Sequence, residues 1–277
     1  MQDLDIPERA IQEPPAWTPQ QLERNRFVRF RTTYTFDHLV DLPRERALKI
    51  LDFGCGEGHS IDALLERYPN ARFVGADIDR GLLATCIAHF GANPRVRLIQ
   101  MEDPIATADL GADFDVIQLN AVFEHLLPDE RKKLMPDLWQ RLRPQGYLVV
   151  TETPWRWFPI ETHTTGLPLV NYLPDRLALA AVRYRHKKPL TWTDALKYGV
   201  RGATVNEIIS CIGAGRGALE RVQPAKADVR DMLEVWWQGE SRKTPVKATA
   251  YHALRLLQKT TGLMISPWVN FVLRKTA

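Results

Sequence analysis

The stretch Leu51-Asp52-Phe53-Gly54-Cys55-Gly56-Glu57-Gly58 carries three glycines within five positions, after an apolar run and before an amphipathic one. The run before it, ALKILDF (47–53), predicts a strand, and HSIDALLERY (59–68) predicts a helix. A glycine turn between strand and helix lets the backbone bend sharply and approach a ligand closely. Dinucleotide sites use the same device, but their G-x-G-x-x-G form needs glycine or alanine at position 59, where His59 stands. Asp52 and Glu57 flank the turn, and acids there suit a cationic ligand better than a pyrophosphate. Asp77 follows Gly58 by 19 positions and closes the next apolar run, RFVGAD (72–77). A carboxylate at that place accepts hydrogen bonds from both hydroxyls of a ribose.

Outward from this loop, strands and helices alternate. GLLATCIAHF (81–90) predicts a helix, RVRLIQ (95–100) and FDVIQLN (114–120) strands, ERKKLMPDLWQRL (130–142) a helix interrupted or kinked at Pro136, and GYLVVTE (146–152) a fifth strand. That order predicts an α/β fold, a parallel sheet with helices on both faces. After Glu152 the alternation stops. Residues 153–200 hold five prolines and many aromatics, as a pocket cover does. Helices are expected within 21–39 and over 204–212, 227–239 and 246–258, and SPWVNFVLRKTA supplies a last strand. The expected division is an N-terminal arm and helix (1–46), a ligand-binding core (47–152), an acceptor-side insertion (153–245) and a C-terminal helix and strand (246–277).

LDFGCGEG followed by VGADID, then FDVIQLNAVFEHL and LRPQGYLVVTE, resembles the motif series of class I S-adenosylmethionine (SAM)-dependent methyltransferases over roughly residues 47–152. The resemblance implies a Rossmann-like, seven-stranded, mostly parallel sheet whose last strand is antiparallel, with SAM across the strand ends and S-adenosylhomocysteine as product. It implies that Asp52, Gly54, Cys55 and Gly56 contact the methionine part of SAM, Asp77 holds the ribose and Ile78 packs on adenine. It places Glu102 or Asp103 at the adenine amine, although MEDP stands where the family usually has Gly-Asp. Asn120 ends the fourth strand next to the expected sulfonium.

Two histidines near the strand ends are candidate catalytic residues. A hydroxyl acceptor must lose its proton as the methyl arrives, and histidine is the natural base near neutral pH. His163, in PIETHTTGLPLVNYLPDRL, lies where the chain resembles the His-x(n)-Pro-x-x-Leu stretch of ubiquinone-type O-methyltransferases, and Glu161, two residues away, either orients it or is a solvated charge. His125 follows Glu124 in the turn after the fourth strand, and shaping the SAM site is its alternative role. Relatives with a metal carry Glu-x-x-Glu-His in that turn. Here Ala121 replaces the first Glu, and Glu124 with His125 alone makes a poor site for a hard cation, so no required metal is expected. Trp155, Trp157, Phe158 and Tyr172 either line an acceptor pocket or pack a lid.

A small-molecule acceptor with a hydroxyl, such as a natural product, a quinone-like phenol or a glycan, is therefore expected. The alternatives are a nucleic-acid methyltransferase and a SAM-binding protein without catalysis of its own; the intact glycine loop and the long aromatic insertion argue against both. Asn120-Ala121-Val122-Phe123 lacks the prolines of exocyclic-amine methyltransferases, and the basic run 183–188 reads as a solvated helix end. The net charge of +4 is modest for 277 residues. Gly213-Ala-Gly215-Arg-Gly217-Ala218 formally repeats a nucleotide pattern but lacks a second strand with a terminal acid and reads as a loop. Residues 251–275 are apolar and basic, as membrane-surface segments are, but Gly262 and Pro267 argue for a helix followed by a strand. Cys55, Cys86 and Cys211 form no CxxC pair. With no signal-peptide pattern or membrane span, they point to the cytoplasm.

Overall fold

A computed structural model describes residues 17–213, 218–222, 233, 234, 237, 243–261 and 266–276. Seven strands form one sheet: β1 (Lys49–Phe53), β2 (Arg72–Asp77), β3 (Val96–Gln100), β4 (Phe114–Asn120), β5 (Leu142–Pro154), β6 (Leu219–Arg221) and β7 (Trp268–Lys275). Their order is β3-β2-β1-β4-β5-β7-β6, so the sheet reverses direction between β1 and β4. β1 to β5 pair in parallel, and β7 runs antiparallel between β5 and β6. This is the Rossmann-like arrangement expected, and its switch point puts a ligand crevice beyond the carboxyl ends of β1 and β4.

The pleat sorts consecutive residues onto two cores. Leu51, Ile117, Leu148 and Leu273 face α4 (Pro128–Arg141) and α7 (Val205–Ile212), whose Leu134, Leu138, Ile208 and Ile212 complete that layer. Ile50, Val116, Val149 and Val272 face the other way, against Phe36 of α1 (Pro19–Leu39), Ile61 and Leu64 of α2 (His59–Arg67), and Leu83 and Phe90 of α3 (Arg80–Phe90). A strand buried on both faces must read as a continuous apolar run, which is why these strands were legible.

α1 starts on a reciprocal cap. Gln21 N–H donates to Thr18 Oγ1, and Thr18 N–H donates back to Gln21 Oε1 at 3.0 Å. α4 runs through Pro136. The 153–200 segment carries two helices that the sequence pattern did not announce, α5 (Asp175–His186) and α6 (Trp192–Lys197). They close a third, small core of Val170, Ala178, Val182, Leu190, Ala195 and Val200. Strand β6 was also unannounced. The glycine cluster 213–218 and the helix expected over 227–239 lie largely outside the described residues. In the C-terminal region, helix Pro245–Thr261 is followed by β7 inside the sheet, so the strand half of 251–275 is not free to lie on a membrane. Among the described residues no helix is long and apolar enough to cross one.

Candidate active site at the carboxyl edge of the sheet

Gly54, Gly56 and Gly58 all adopt positive φ (+76°, +53° and +89°), which explains their residue type. A Cβ on Gly54 would lie 2.4 Å from Val122 Cγ2, so the loop passes directly beneath the β4 turn. Gly58 caps α2 in the left-handed conformation.

Two buried acceptors in this crevice have no partner among the described residues: Asp52 Oδ2 and Asn120 Oδ1. Asp52 Oδ1 accepts from Gln118 Nε2 at 3.1 Å, and Asn120 Nδ2 donates to Ser60 Oγ at 3.2 Å. Each side chain is thus held by one end with an oxygen left over. Burial, with Asp77 nearby adding to it, pushes the Asp52 carboxyl up to about 7. Asp77 is buried at the end of β2. Its Oδ2 accepts from Gly56 N at 2.7 Å and its Oδ1 from Asp79 N at 2.8 Å. Ile78 beside it is 51% exposed, an apolar face available to a flat ligand. Gln100 Nε2, below it, donates to the Ile78 carbonyl at 3.0 Å.

Other expected residues are placed differently. The Cys55 thiol is buried beside Cys86, so only the backbone of Cys55 faces the loop. Glu57 turns away from the crevice, holds α1 through Gln21 and Arg24, and pairs with His59 at the start of α2. Glu102 and Asp103 are exposed, and Asp103 Oδ1 accepts from Ile105 N in its own turn.

His125 and His163, 38 residues apart, meet beyond the end of β4, with their Nε2 atoms 3.2 Å apart. His125 Nδ1 lies 2.7 Å from the Lys197 carbonyl. A carbonyl only accepts, so Nδ1 carries the proton and Nε2 keeps its lone pair. Burial, with His125 adding to it, lowers His163 to about 4. Glu124 is fully buried beside them, its carboxyl pushed up to about 8 by burial. Its Oε2 accepts from Thr153 Oγ1 at 3.2 Å, and its Oε1 has no partner among the described residues. Glu161 neither orients the His163 ring nor lies in solvent. It is buried and accepts from the backbone N–H groups of His163, Thr164 and Thr165, fixing the turn that presents His163. His186 does not face water freely, since its ring stacks on Tyr198 at 5.0 Å. Phe158 is buried, whereas Trp157 and Tyr172 are each 49% exposed.

Gln118, Ser60, Val122 and Gln100 were missing from the sequence reading. Gln118 left a signal, a polar residue inside an otherwise apolar strand. The others depend on distant packing and left none.

A left-handed glycine cradle, two buried acceptors with an oxygen to spare, an acid closing β2 and an exposed apolar neighbour together fit the amino, sulfonium, ribose and adenine groups of SAM. A family model described as "Methyltransferase domain" matches residues 51–148. Those residues form a methyltransferase domain of the class I, SAM-dependent kind, and SAM is its cofactor. It is 29% identical to a trans-aconitate 2-methyltransferase of Variovorax paradoxus (strain S110) over 255 aligned positions, covering 78% of this chain and 94% of that protein. A trans-aconitate 2-methyltransferase of Azoarcus sp. (strain BH72) is 35% identical over 136 residues, and the match spans only about half of each protein, 49% of this chain and 50% of the relative. Two solved structures share the fold. The plantazolicin methyltransferase BpumL, in complex with SAH, has a TM-score of 0.50 at 15% identity over 92% of this chain and 85% of that one. A putative sarcosine dimethylglycine methyltransferase from Galdieria sulphuraria has a TM-score of 0.50 at 12% identity over 95% and 93%.

Proposed function

We propose that this protein is an enzyme that methylates an oxygen of a small-molecule acceptor, and that the acceptor oxygen belongs to a carboxylate. The observation that carries the methyl transfer is the pair of buried, half-satisfied acceptors, Asp52 and Asn120, at the switch point, where the cationic groups of SAM would sit. The carboxylate is supported by the relatives named for trans-aconitate, one of which aligns over nearly its whole length. When bound, SAM supplies an electrophilic methyl group on a sulfonium.

The chain's own contribution is alignment. Asp52 would hold the cationic amino group, Asp77 the ribose, and Asn120 Oδ1 would face the sulfonium. The insertion after β5 covers the opposite side and excludes water. A carboxylate is already ionised at neutral pH, so the acceptor needs positioning rather than a base. The presence of His125 and His163 at the acceptor rim favours a second reading, a hydroxyl acceptor with His163 taking its proton.

The two readings differ in product. Purified protein would be incubated with methyl-labelled SAM and a panel holding di- and tricarboxylic acids, phenols, sugars and RNA. Label in a small acid that mild base releases as methanol identifies a methyl ester. Base-stable label in a phenol or sugar would replace the carboxylate with a hydroxyl. Label in RNA alone would reject a small-molecule acceptor.

A further inference from the structure

We propose that the cavity at the amino end of β1, β2 and β3 is a binding site for a small organic polyanion, a molecule carrying two or more phosphate or carboxylate groups. The cavity measures about 650 Å³, a size that holds a small molecule. Lys49, Arg72, Arg95 and Arg97 line it, against one acid, Asp115. It stands apart from the cofactor crevice. Arg72 opens β2 and Asp77 closes it, and the strand between them keeps the two about 16 Å apart at roughly 3.3 Å per residue.

The order of elements explains why the cavity exists. β1 and β2 are joined through α2, β2 and β3 through α3, and β4 and β5 through α4. β3 and β4 are joined by residues 101–113, which hold Pro104 and Gly111 and form only the 3₁₀ turn Ala108–Leu110. Leu110 packs into the core, but this connection supplies no helix to cover the amino end of the sheet edge. The pleat then gathers the cations. Lys49 pairs with Arg72, and Val74, two residues further on, pairs with Arg97. Paired residues of parallel strands share a face, so Lys49, Arg72 and Arg97 project from the face of Leu51 and Val74.

The protein does not cancel these charges itself. Asp115 is already engaged: it accepts from Lys49 N at 2.8 Å and pairs with Arg46 and Arg143. Arg95 donates to the carbonyls of Tyr68 and Pro69, and Lys49 Nζ donates to the Ala112 carbonyl at 2.6 Å. Carbonyls are neutral, so both positive charges remain. Arg72 and Arg97 are exposed, and neither side chain has a partner among the described residues. Lys49 and Arg72 stand side by side on adjacent strands, where like charges repel, and an anion between them relieves that repulsion. The two unpaired guanidinium forks match the paired oxygens of phosphate or carboxylate.

The test is anion binding, read without turnover. Full-length protein saturated with S-adenosylhomocysteine is titrated with inorganic tripolyphosphate and with tricarballylate at about 0.15 M salt, where long-range attraction is screened. At least one probe should saturate a site with a Kd below about 1 mM, and the tighter of the two tells whether phosphate or carboxylate is preferred. Arg72→Ala/Arg97→Ala should weaken that binding at least about tenfold, with SAM affinity and melting temperature unchanged. In the wild type the tighter probe should protect Arg72 and Arg97 from phenylglyoxal, and should leave the exposed Arg176 of α5 reactive. No saturable binding of either probe would overturn the proposal, as would unchanged affinity in the double variant. Protection of the two arginines by single-stranded RNA, and by neither small probe, would replace the small ligand with a nucleic acid and overturn it too.

Discussion

The Gly56 backbone N–H donates to Asp77 Oδ2 at 2.7 Å, while the other oxygen of the same carboxylate accepts from Asp79 N. The acid assigned to the ribose therefore also ties the glycine loop to the end of β2. Asp77→Asn keeps one acceptor oxygen but loses the charge, so SAM affinity should fall about tenfold or more, each hydrogen bond to a charged group being worth roughly 1.5–3 kcal/mol. Asp77→Ala loses both loop anchors too and should also lower the melting temperature of the ligand-free protein. Calorimetric titration and thermal unfolding check the two effects separately. Unchanged SAM affinity in Asp77→Ala would place the ribose elsewhere.

Gly54 and Gly56 should respond differently to one added methyl group. Alanine at either position meets positive φ, which costs about 1–2 kcal/mol. At Gly54 the methyl also strikes Val122 Cγ2, whereas at Gly56 the nearest atom, Leu82 Cδ1, is 3.9 Å away. Gly54→Ala should therefore unfold at the lower temperature and lose SAM binding. If Gly56→Ala proves the more damaging to stability, the loop does not pack beneath Val122 as described.

The sequence made the scaffold legible because the central strands β1, β2 and β4 are buried on both faces and must be largely apolar. β2 and β4 appear at the expected bounds, and the glycine loop announced its conformation through residue type. The insertion was not legible. Its two helices rest on a small separate core and on Arg201, whose guanidinium donates to three carbonyls far away in sequence. The acidic residues misled for a related reason. Glu57 and Glu161 look alike as charges, but a distant contact ties Glu57 to α1, whereas Glu161 is held by the backbone of its own turn.

Cofactor binding should be linked to protonation of Asp52. Its carboxyl sits at about 7 in the ligand-free protein and near 3.8 when unfolded. Between those values the folded chain holds the extra proton, so the ligand-free protein loses stability as pH rises from about 4 to about 7. A cationic amino group beside Asp52 favours the ionised form, so SAM binding below pH 7 should release a proton. Affinity should then rise with pH up to about 7 and level off. Titrations at several pH values, in buffers of different ionisation enthalpy, measure both. Asp52→Asn should abolish the proton release. A pH-flat affinity in the wild type would remove Asp52 from the amino-group site.

Arg201 should govern how firmly the insertion sits on the core. Its side chain is buried, and its guanidinium donates to the carbonyls of Val170, Asn171 and Leu173 and to the Asp175 carboxylate. Lysine has no fork that could serve four acceptors. Arg201→Lys should leave carbonyls unpaired at a cost of roughly 1–3 kcal/mol each where burial is complete. None of these bonds reaches the glycine loop, Asp52 or Asp77. SAM affinity should therefore stay near wild type, while hydrogen exchange over residues 158–200 speeds up and acceptor turnover falls. Exchange unchanged in that segment would show that the small core of Val170, Ala178 and Val182 holds the insertion by itself. Loss of SAM binding together with faster exchange would show instead that the insertion and the cofactor half unfold as one unit.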